Sequence, residues 1–285
     1  MRFAITLTDR YLPVFEAFLA AGWQPVKVFT SPVDDRIFHN KLSLERARQL
    51  DVPVQISRML DTDLADLHSR DCDLLVVASY QWRIGDWQPH LRYAVNFHPS
   101  PLPIGRGAYP LVRSILDGHT EWGITCHKVT ARFDAGEILA QEIFPMTADE
   151  CHESLDLQTQ LASGTLAARV AGDFEALWRG ARAQGEGTYW KLFTDADRTI
   201  DFHQPIDRIM RTVRAFGEYE CLAKVADAQV YVRRAVAWRA QHAHTPGTVA
   251  HNSAMRLVVA ASDGYVGLLE WSLIGPDAPA QRIGR

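Results

Sequence analysis

Short apolar runs alternate with amphipathic segments along the first part of the chain. The apolar runs predict buried strands, and the segments between them predict helices with one apolar face. The predicted strands are Arg2 to Thr8, Pro25 to Thr30, Val52 to Ile56 and Asp73 to Ala78, and the predicted helices are Leu12 to Ala21, Leu42 to Leu50 and Thr62 to His68. Strands that alternate with helices are typical of βαβ units, so the pattern predicts an α/β fold with a Rossmann-like, doubly wound, mainly parallel sheet.

The middle of the chain extends this first domain. A helix is predicted from Tyr109 to Leu116, followed by two β-rich runs, Trp122 to Val129 and Glu137 to Phe144, which we expect to be neighbours in the sheet. The Ala- and Leu-rich stretch from Asp149 to Arg182 predicts one long helix whose apolar residues pack in the core. This helix closes the first domain near residues 185–187.

The pattern changes after Tyr189. Residues 188–202 are mostly polar and predict a linker, and Ile206 to Ala215 predicts a short basic helix. The β-like runs that follow are Cys221 to Ala226, Gln229 to Val236, Gly247 to His251, Leu257 to Ala261 and Tyr265 to Trp271. Short strands at such spacing are typical of a small β-barrel. We therefore expect a catalytic domain at 1–187, a linker at 188–202 and a β-barrel-like domain at 203–285.

Length, charge and cysteine content narrow the function classes. The chain has 285 residues, enough for two domains, and a formal net charge of -4, which argues against a polyanion as its main partner. The four cysteines show no paired metal spacing, so we expect no metal and a reduced, cytoplasmic setting. No run reaches the ~18 apolar residues of a membrane helix, and the N-terminus turns polar too soon for a signal peptide.

The richest polar motif follows the apolar run that begins at Tyr93. Asn96 and His98 lie two residues apart, so on a strand a carboxamide and an imidazole point to the same face. The three prolines that follow, Pro99, Pro101 and Pro103, forbid a helix and predict a stiff, extended loop. His127 alternates with Thr125 on a later predicted strand, and alone it is more often a structural or surface histidine than a ligand.

These residues carry a resemblance to the folate-dependent formyltransferase family. The matching segments are Asn96-Phe97-His98, Ser100-Pro101-Leu102-Pro103, Arg106-Gly107, Pro110 and Asp134-Ala135-Gly136-Glu137-Ile138. The family usually has leucine where Pro101 stands. The resemblance covers nearly the whole chain and implies the formyltransferase fold with an OB-like second domain, 10-formyltetrahydrofolate as the formyl donor, and Asn96, His98 and Asp134 as the catalytic residues.

Formyl transfer fits these residue types. An amine that attacks the formyl carbon creates a tetrahedral centre whose oxygen gains negative charge, and Asn96 together with a protonated His98 could donate hydrogen bonds to it. The amine must lose a proton while the folate nitrogen gains one, and histidine titrates in the right range. A carboxylate near His98 would raise its pKa, and Asp134 is the candidate.

The resemblance also points to a folate pocket. Parallel strands deliver ligand-binding loops at their carboxyl ends, where Ser79 and His98 would both emerge. Aromatic side chains there suit a flat pterin ring, although Tyr80 and Trp82 could instead simply cover the sheet. The candidate folate-binding residues are Tyr80, Gln81, Trp82, Ile84, Ser100, Pro101, Leu102, Pro103, Thr130 and Phe133, and the candidate substrate-binding residues are Arg106 and Arg132.

The sequence leaves more than one class of formyl acceptor open. No Gly-Ser-Asn-type phosphate loop follows the first strand, where Thr8-Asp9-Arg10 stands, which argues against a glycinamide ribonucleotide acceptor. The segment Ser31 to Arg36 is short and slightly acidic, whereas methionyl-tRNA members usually carry a basic insertion there. We therefore favour a small amine acceptor, an amino-sugar nucleotide or an amino-acid-derived amine. The alternatives are a methionyl-tRNA formyltransferase and a formyl-folate hydrolase or folate sensor, and the oligomeric state stays open.

Overall fold

The structure, a computed structural model, describes residues 1–33, 37–253 and 256–275. The chain divides into two compact units, each described here by itself. The first comprises Met1–Pro110, Thr120–Met146 and Asp156–Trp190, and the second comprises Leu111–His119, Thr147–Leu155 and Lys191–Arg285. None of the helices in the described ranges is both long and apolar enough to cross a membrane.

The first unit is built on a twisted sheet with strands from both halves of its sequence. Its strands are β1 Arg2–Thr6, β2 Gln24–Thr30, β3 Val54–Ile56, β4 Leu74–Val77, β5 Tyr93–His98, β6 Arg106–Gly107, β7 Glu121–Lys128, β8 Ile138–Pro145 and β9 Tyr189–Trp190. The main sheet has the order β3-β2-β1-β4-β5-β7-β8, and β6 pairs with β9 separately. The pairs from β3 to β5 are parallel, and β7 and β8 are antiparallel neighbours. The predicted mainly parallel sheet is confirmed.

Helices cover this sheet because its central strands are apolar on both faces. The helices of the chain that precede residue 180 are α1 Leu12–Ala20, α2 Lys41–Gln49, α3 Asp61–Ser69, α4 Pro110–Asp117, α5 His152–Gly172 and α6 Phe174–Arg179. All four residues of β4 are buried. On one side of the sheet the rings of Phe3, Phe18 and Trp23 form edge-on or tilted contacts with centroids 5.1–6.3 Å apart. This core fixes β1 and β4 beside β5, the strand that bears the polar motif.

The predicted helix from Asp149 to Arg182 is wrong as a single element. The structure has α5 and α6 instead, interrupted at Asp173, whose φ of −132° and ψ of 34° lie outside the helical region. Gly172 loses more backbone entropy in a helix than other residues, and aspartate favours helix starts over interiors, so the two together permit the break. After α6 the chain leaves the helix entirely, and residues 182–190 run across the loops of the first unit.

The second unit is a sheet with one main helix. Its strands are β10 Thr199–Ile200, β11 Cys221–Val225, β12 Ala228–Arg239, β13 Val249–Ser253, β14 Arg256–Ala260 and β15 Gly264–Ser272, and its main helix is α7 Ile206–Phe216. The strand order is β10-β11-β12-β15-β14-β13, antiparallel except between β10 and β11. The predicted β-rich second domain is confirmed. The segment expected as a linker contains two short strands, β9 and β10.

Candidate active site

The carboxyl end of β5 carries Asn96 and His98, as the sequence predicts. Antiparallel pairing with β7 places His127 directly opposite Asn96. Asp134 lies in the loop between β7 and β8 with a φ of +52°, a left-handed conformation that aspartate tolerates better than most residues. The fold therefore collects polar side chains from three separate segments at one point.

The three predicted catalytic residues meet around one carboxylate. Oδ1 of Asp134 lies 3.2 Å from Nδ2 of Asn96 and 3.5 Å from Nδ1 of His98. The backbone N–H of Gly107 donates a hydrogen bond to the other carboxylate oxygen at 2.9 Å. The side chain of Asp134 is only 10% exposed, so these contacts are formed largely out of water.

Asp134 is ionised in this setting. Burial by itself would raise its pKa, but the neighbouring His98 and His127 rings and the N–H of Gly107 outweigh burial and lower the pKa to about 2. A buried carboxylate that keeps its charge can stabilise a positive imidazole formed beside it. The site therefore holds a fixed negative charge next to a histidine.

His98 is neutral at rest. Burial lowers its pKa; Asp134 opposes this effect, as does the carbonyl of Gly105, and the neighbouring His127 adds to the lowering. Asp134 raises the pKa of His98 as expected, but burial has the larger effect. The protonated His98 expected from the sequence is therefore not the resting form. Its Nε2 lies 2.8 Å from the carbonyl of Gly105 and donates to it, which leaves the lone pair on Nδ1, facing Asp134.

His127 is the site residue that the sequence interpretation missed. Its Nε2 lies 3.2 Å from Nδ2 of Asn96 and 3.6 Å from Oδ1 of Asp134. Its presence could have been inferred by pairing the predicted strands, because a residue opposite Asn96 on an adjacent strand shares its face. The sequence alone does not supply the register of β5 against β7.

The loop that follows His98, residues 99–105, is called the proline loop here, and Thr125 of β7 forms hydrogen bonds with it. The hydroxyl of Thr125 donates to the carbonyl of Ser100 at 2.7 Å and accepts the N–H of Leu102 at 3.1 Å. Ser100 and Leu102 are buried, at 0% and 2% exposure, so their side chains support the loop. Their predicted contact with folate stays a prediction, and burial of the side chains leaves the backbone of the loop as the part that would make it. Pro101 and Pro103 are half-buried at its outer side.

The other candidate folate-binding residues differ in the exposure of their side chains. The hydroxyl of Tyr80 accepts the N–H of Met59 at 2.6 Å, and its ring packs on Trp82 with centroids 5.3 Å apart. Ile84 packs against the core below these rings. The candidates with exposed side chains are Gln81, Thr130 and Phe133, and the last of these is 57% exposed. Among the aromatic candidates Phe133 is exposed, whereas Tyr80 and Trp82 are half-buried.

The predicted substrate arginines have different surroundings. Arg106 is tethered: its Nε donates to Oε1 of Gln184 at 3.0 Å and a terminal nitrogen donates to the carbonyl of Gly185 at 3.1 Å. Gln184 in turn donates to the carbonyls of Asp134 and Gly136. Arg106 therefore braces the Asp134 loop, and its predicted contact with substrate stays a prediction. Arg132 is exposed and its guanidinium remains available for a ligand.

Residues 182–190, which we call the strap, form hydrogen bonds with the proline loop. The hydroxyl of Thr188 accepts the N–H of Gly105, and its own N–H donates to the carbonyl of Pro103. The parallel pairing of β6 with β9 continues this contact, and Trp190 stacks on Trp122 with centroids 5.8 Å apart. The strap and Thr125 thus both form hydrogen bonds with the proline loop.

The fold and site together define an α/β enzyme whose ionised aspartate, neutral histidine and carboxamide converge at the carboxyl end of a central strand. Residues 39–170 match the model of the formyl transferase family, and residues 193–278 match the model of the formyl transferase C-terminal domain. The chain therefore belongs to the formyl transferase family.

Relatives and solved structures agree with this membership. A methionyl-tRNA formyltransferase of Hahella chejuensis is 28% identical over 275 residues, which cover 91% of this chain and 85% of that protein. An N-formyltransferase of Helicobacter canadensis, solved with folinic acid and dTDP-3-aminofucose, has a TM-score of 0.69 at 15% identity, covering 95% of this chain and 99% of that one. HypX of Aquifex aeolicus, solved with tetrahydrofolic acid, has a TM-score of 0.65 at 19% identity and covers 94% of this chain and 43% of that one.

Proposed function

We propose that this protein transfers a formyl group from 10-formyltetrahydrofolate to the primary amine of a small acceptor, with Asn96, His98 and Asp134 as its catalytic residues. The observation that carries the proposal is the charged Asp134 beside the neutral His98 and the amide of Asn96. An amine that attacks a formyl group needs a neutral base for its proton and donors for the developing oxyanion, and this cluster contains both types of group.

The proton is expected to move through His98. Nδ1 of the neutral ring accepts the proton that the attacking amine loses, and the resulting imidazolium is stabilised by Asp134. The same proton is then delivered to the folate nitrogen as the carbon–nitrogen bond to the formyl group breaks. Asn96 donates to the oxygen of the tetrahedral centre, and the loss of such a donor typically costs about 10²–10³ in turnover.

A folate donor is supported by the structural relatives and by the open edge of the site. The Helicobacter canadensis enzyme was solved with folinic acid, and the Aquifex aeolicus protein was solved with tetrahydrofolic acid. The exposed ring of Phe133 and the half-buried ring of Trp82 offer aromatic area that a pterin ring could cover. We propose that the donor binds in this part of the first unit.

A small acceptor is supported by the charge pattern of the second unit. Arg233 pairs with Glu218 at 2.7 Å, Arg234 pairs with Glu270 at 3.3 Å, and Arg239 pairs with Asp207 and Asp263. Arginines whose charges are already balanced add little to the binding of a polyanion, because affinity for nucleic acids depends on uncompensated cations. Binding of an amino-sugar nucleotide or an amino-acid-derived amine does not require many uncompensated cations on this unit.

The second candidate function is methionyl-tRNA formylation. The Hahella chejuensis relative, which matches most of both chains, carries that name. Arg208 and Arg211 of α7 form no ion pair with a carboxylate among the residues that the structure describes, so some uncompensated positive charge remains.

The test is a mass-spectrometric screen for formyl transfer with purified protein and 10-formyltetrahydrofolate. The acceptors are amino-sugar nucleotides, hydroxyornithine and charged initiator transfer RNA, and one reaction has no amine. Formylation of a small amine supports the proposal, whereas transfer to the transfer RNA alone favours the second candidate. Consumption of the donor without an amine indicates a hydrolase, and no consumption with any acceptor indicates a folate sensor.

A further inference from the structure

We propose that Gln141 is a positioning residue that fixes the proline loop, and through it the ring of His98, for the reaction. This inference deepens the proposed formyl transfer and rests on it. Gln141 lies on β8 directly opposite Thr125 of β7, and Thr125 lies directly opposite His98 of β5. Residues directly opposite each other on neighbouring strands share one face of the sheet. Gln141 is therefore the third member of a row that ends at the proposed base.

The contact with Arg182 decides the orientation of the Gln141 amide. A terminal nitrogen of Arg182 lies 2.7 Å from Oε1 of Gln141, and a guanidinium can only donate hydrogen bonds. The oxygen is therefore the acceptor, and both N–H groups of Nε2 are left to donate elsewhere. Turned by half a rotation, the amide would place its N–H groups against those of Arg182, which is repulsive.

Both N–H groups of Gln141 are used at the proline loop. Nε2 lies 2.8 Å from the carbonyl oxygen of Leu102 and 2.9 Å from the hydroxyl oxygen of Thr125, and it donates to both. That hydroxyl also accepts the N–H of Leu102, so both of its lone pairs are taken and its own O–H is left for the carbonyl of Ser100. The direction of each hydrogen bond is therefore fixed from the guanidinium to the carbonyl of Ser100.

The proline loop in turn holds the ring of His98. The carbonyl of Gly105, the last residue of the loop, accepts a hydrogen bond from Nε2 of His98 at 2.8 Å. This contact keeps the lone pair on Nδ1, the nitrogen that faces Asp134. Because Thr125 is fully buried, water does not readily replace Gln141, and loss of Gln141 leaves polar groups of the loop without partners. A loop that shifts for this reason releases His98 from the tautomer that the reaction needs.

The experiment compares Gln141→Met with Gln141→Glu. Both new side chains have about the length of glutamine, but an ionised carboxylate keeps the acceptor for Arg182 and has no N–H to donate, whereas a thioether offers neither. We expect both variants to lose about tenfold in kcat with little change in the KM for the amine, because the base is misplaced. The loss stays partial because Thr188 of the strap still holds Gly105. Ile143→Met, a change at an exposed residue on the same face of β8, is the matched control and should match wild type.

A second measurement is independent of turnover. The ring N–H at Nε2 of His98, followed by nuclear magnetic resonance, should exchange slowly with solvent in wild type and faster in both variants of Gln141. If the variants lower only the melting temperature and leave kcat and this exchange at the wild-type values, Gln141 serves stability alone and the proposal is overturned. Wild-type behaviour of the glutamate variant would also overturn it, because the contact with Arg182 would then suffice.

Variants of Arg182 keep the proposal testable if the changes at Gln141 prevent folding. Arg182 is exposed, so Arg182→Met should fold, and the amide that it releases should give a smaller loss of kcat and faster exchange at His98. Arg182→Lys, which can still donate to the amide oxygen, should restore both. Unchanged exchange in the methionine variant would refute the proposal. If wild type itself transfers no formyl group, the proposed function fails, and the exchange data still decide whether Gln141 holds the loop.

Discussion

At the residue scale the site depends on the carboxylate of Asp134, which stays ionised although it is buried. Asp134 remains ionised because two imidazoles and a backbone N–H surround its carboxylate. His98 remains neutral because burial outweighs the attraction of that carboxylate. The two opposite outcomes leave a base and its counter-charge in contact before any substrate arrives, so the environment of each group decides its role.

Replacing the carboxylate tests this pairing. In Asp134→Asn the pKa of His98 should fall further, because the charge that opposes the effect of burial is removed. Turnover should drop by about 10²–10³, since no counter-charge remains for the imidazolium. Titration of the His98 ring by nuclear magnetic resonance, together with steady-state rates, measures both effects. An unchanged pKa of His98 would show that Asp134 does not act on this ring.

Acid unfolding gives a separate test of Asp134. Its pKa is about 2 in the folded protein against 3.8 for an exposed aspartate, so its contribution to stability is present above pH 4 and is lost as the pH falls toward 2. This contribution is roughly 2 kcal/mol in the free energy of unfolding. Urea unfolding of wild type and Asp134→Asn between pH 5 and about 2 should show a steeper loss for wild type. If the free energies of unfolding of the two proteins change with pH in parallel, the pKa of Asp134 is not lowered in the folded protein.

Replacement of His98, the proposed base, tests whether turnover can be lost while folate binding is kept. His98→Ala should lower kcat by about 10²–10⁴, because the proposed carrier of the proton is removed. Folate affinity should change little, since the His98 ring is buried beneath the loop and not part of its outer surface. Isothermal titration with a folate analogue and steady-state rates measure the two effects. Turnover near that of wild type would refute the role assigned to His98.

At the element scale the site depends on the strap as much as on the strands. Residues 182–190 bind the proline loop through Thr188 and the Asp134 loop through Gln184. Neither loop belongs to a regular sheet, so the strap supplies hydrogen bonds that strands would otherwise provide. The strap was expected to be partly helix and partly linker, and its binding role follows only from its position in the fold.

Two glycines of the strap form a matched pair. A side chain at Gly187 would place its Cβ 2.2 Å from the carbonyl oxygen of Pro103, whereas a Cβ at Gly185 meets open space. Gly187→Ala should therefore push the strap away from the loop, lowering the melting temperature and kcat, while Gly185→Ala should leave both near wild type. Thermal unfolding and steady-state rates check this difference. If the two variants behave alike, the strap does not brace the loop.

At the scale of the whole molecule, residues 39–170 and 193–278 match two successive models of the same family. The second unit keeps much of its positive charge in internal ion pairs. This arrangement is consistent with the formal net charge of -4. The acceptor is therefore expected to be recognised without strong attraction between large charged surfaces.

Salt and charge reversal test that expectation. With a small amine acceptor, kcat/KM should change little between about 50 and 200 mM salt, whereas a transfer RNA acceptor would lose affinity steeply over this range. The double variant Arg208→Glu and Arg211→Glu should retain wild-type kcat/KM for the small amine. Lys224→Glu, an exposed position of the same unit, is the control for a change of charge alone. If transfer RNA is the acceptor, its formylation should instead fall steeply in the double variant and not in the control, and that result would contradict the expectation of a small acceptor.

The sequence by itself determined the local features of this protein. Apolar runs and their spacing predicted the strands of both units, because burial of alternate or continuous apolar residues is a local property. The pair Asn96 and His98 on one face followed from the period of a strand. The break at Asp173 was missed although Gly172 and Asp173 carry a local signal for it, because that signal permits a break without requiring one.

Only the tertiary structure decided which distant groups meet. The register of β5 against β7 brings His127 to Asn96, the loop after β7 brings Asp134 to His98, and the strap reaches Arg106 through Gln184. These contacts join segments far apart in sequence, and nothing in the local pattern fixes their register. The neutral state of His98 has the same origin, because burial and charge act through space and not along the chain.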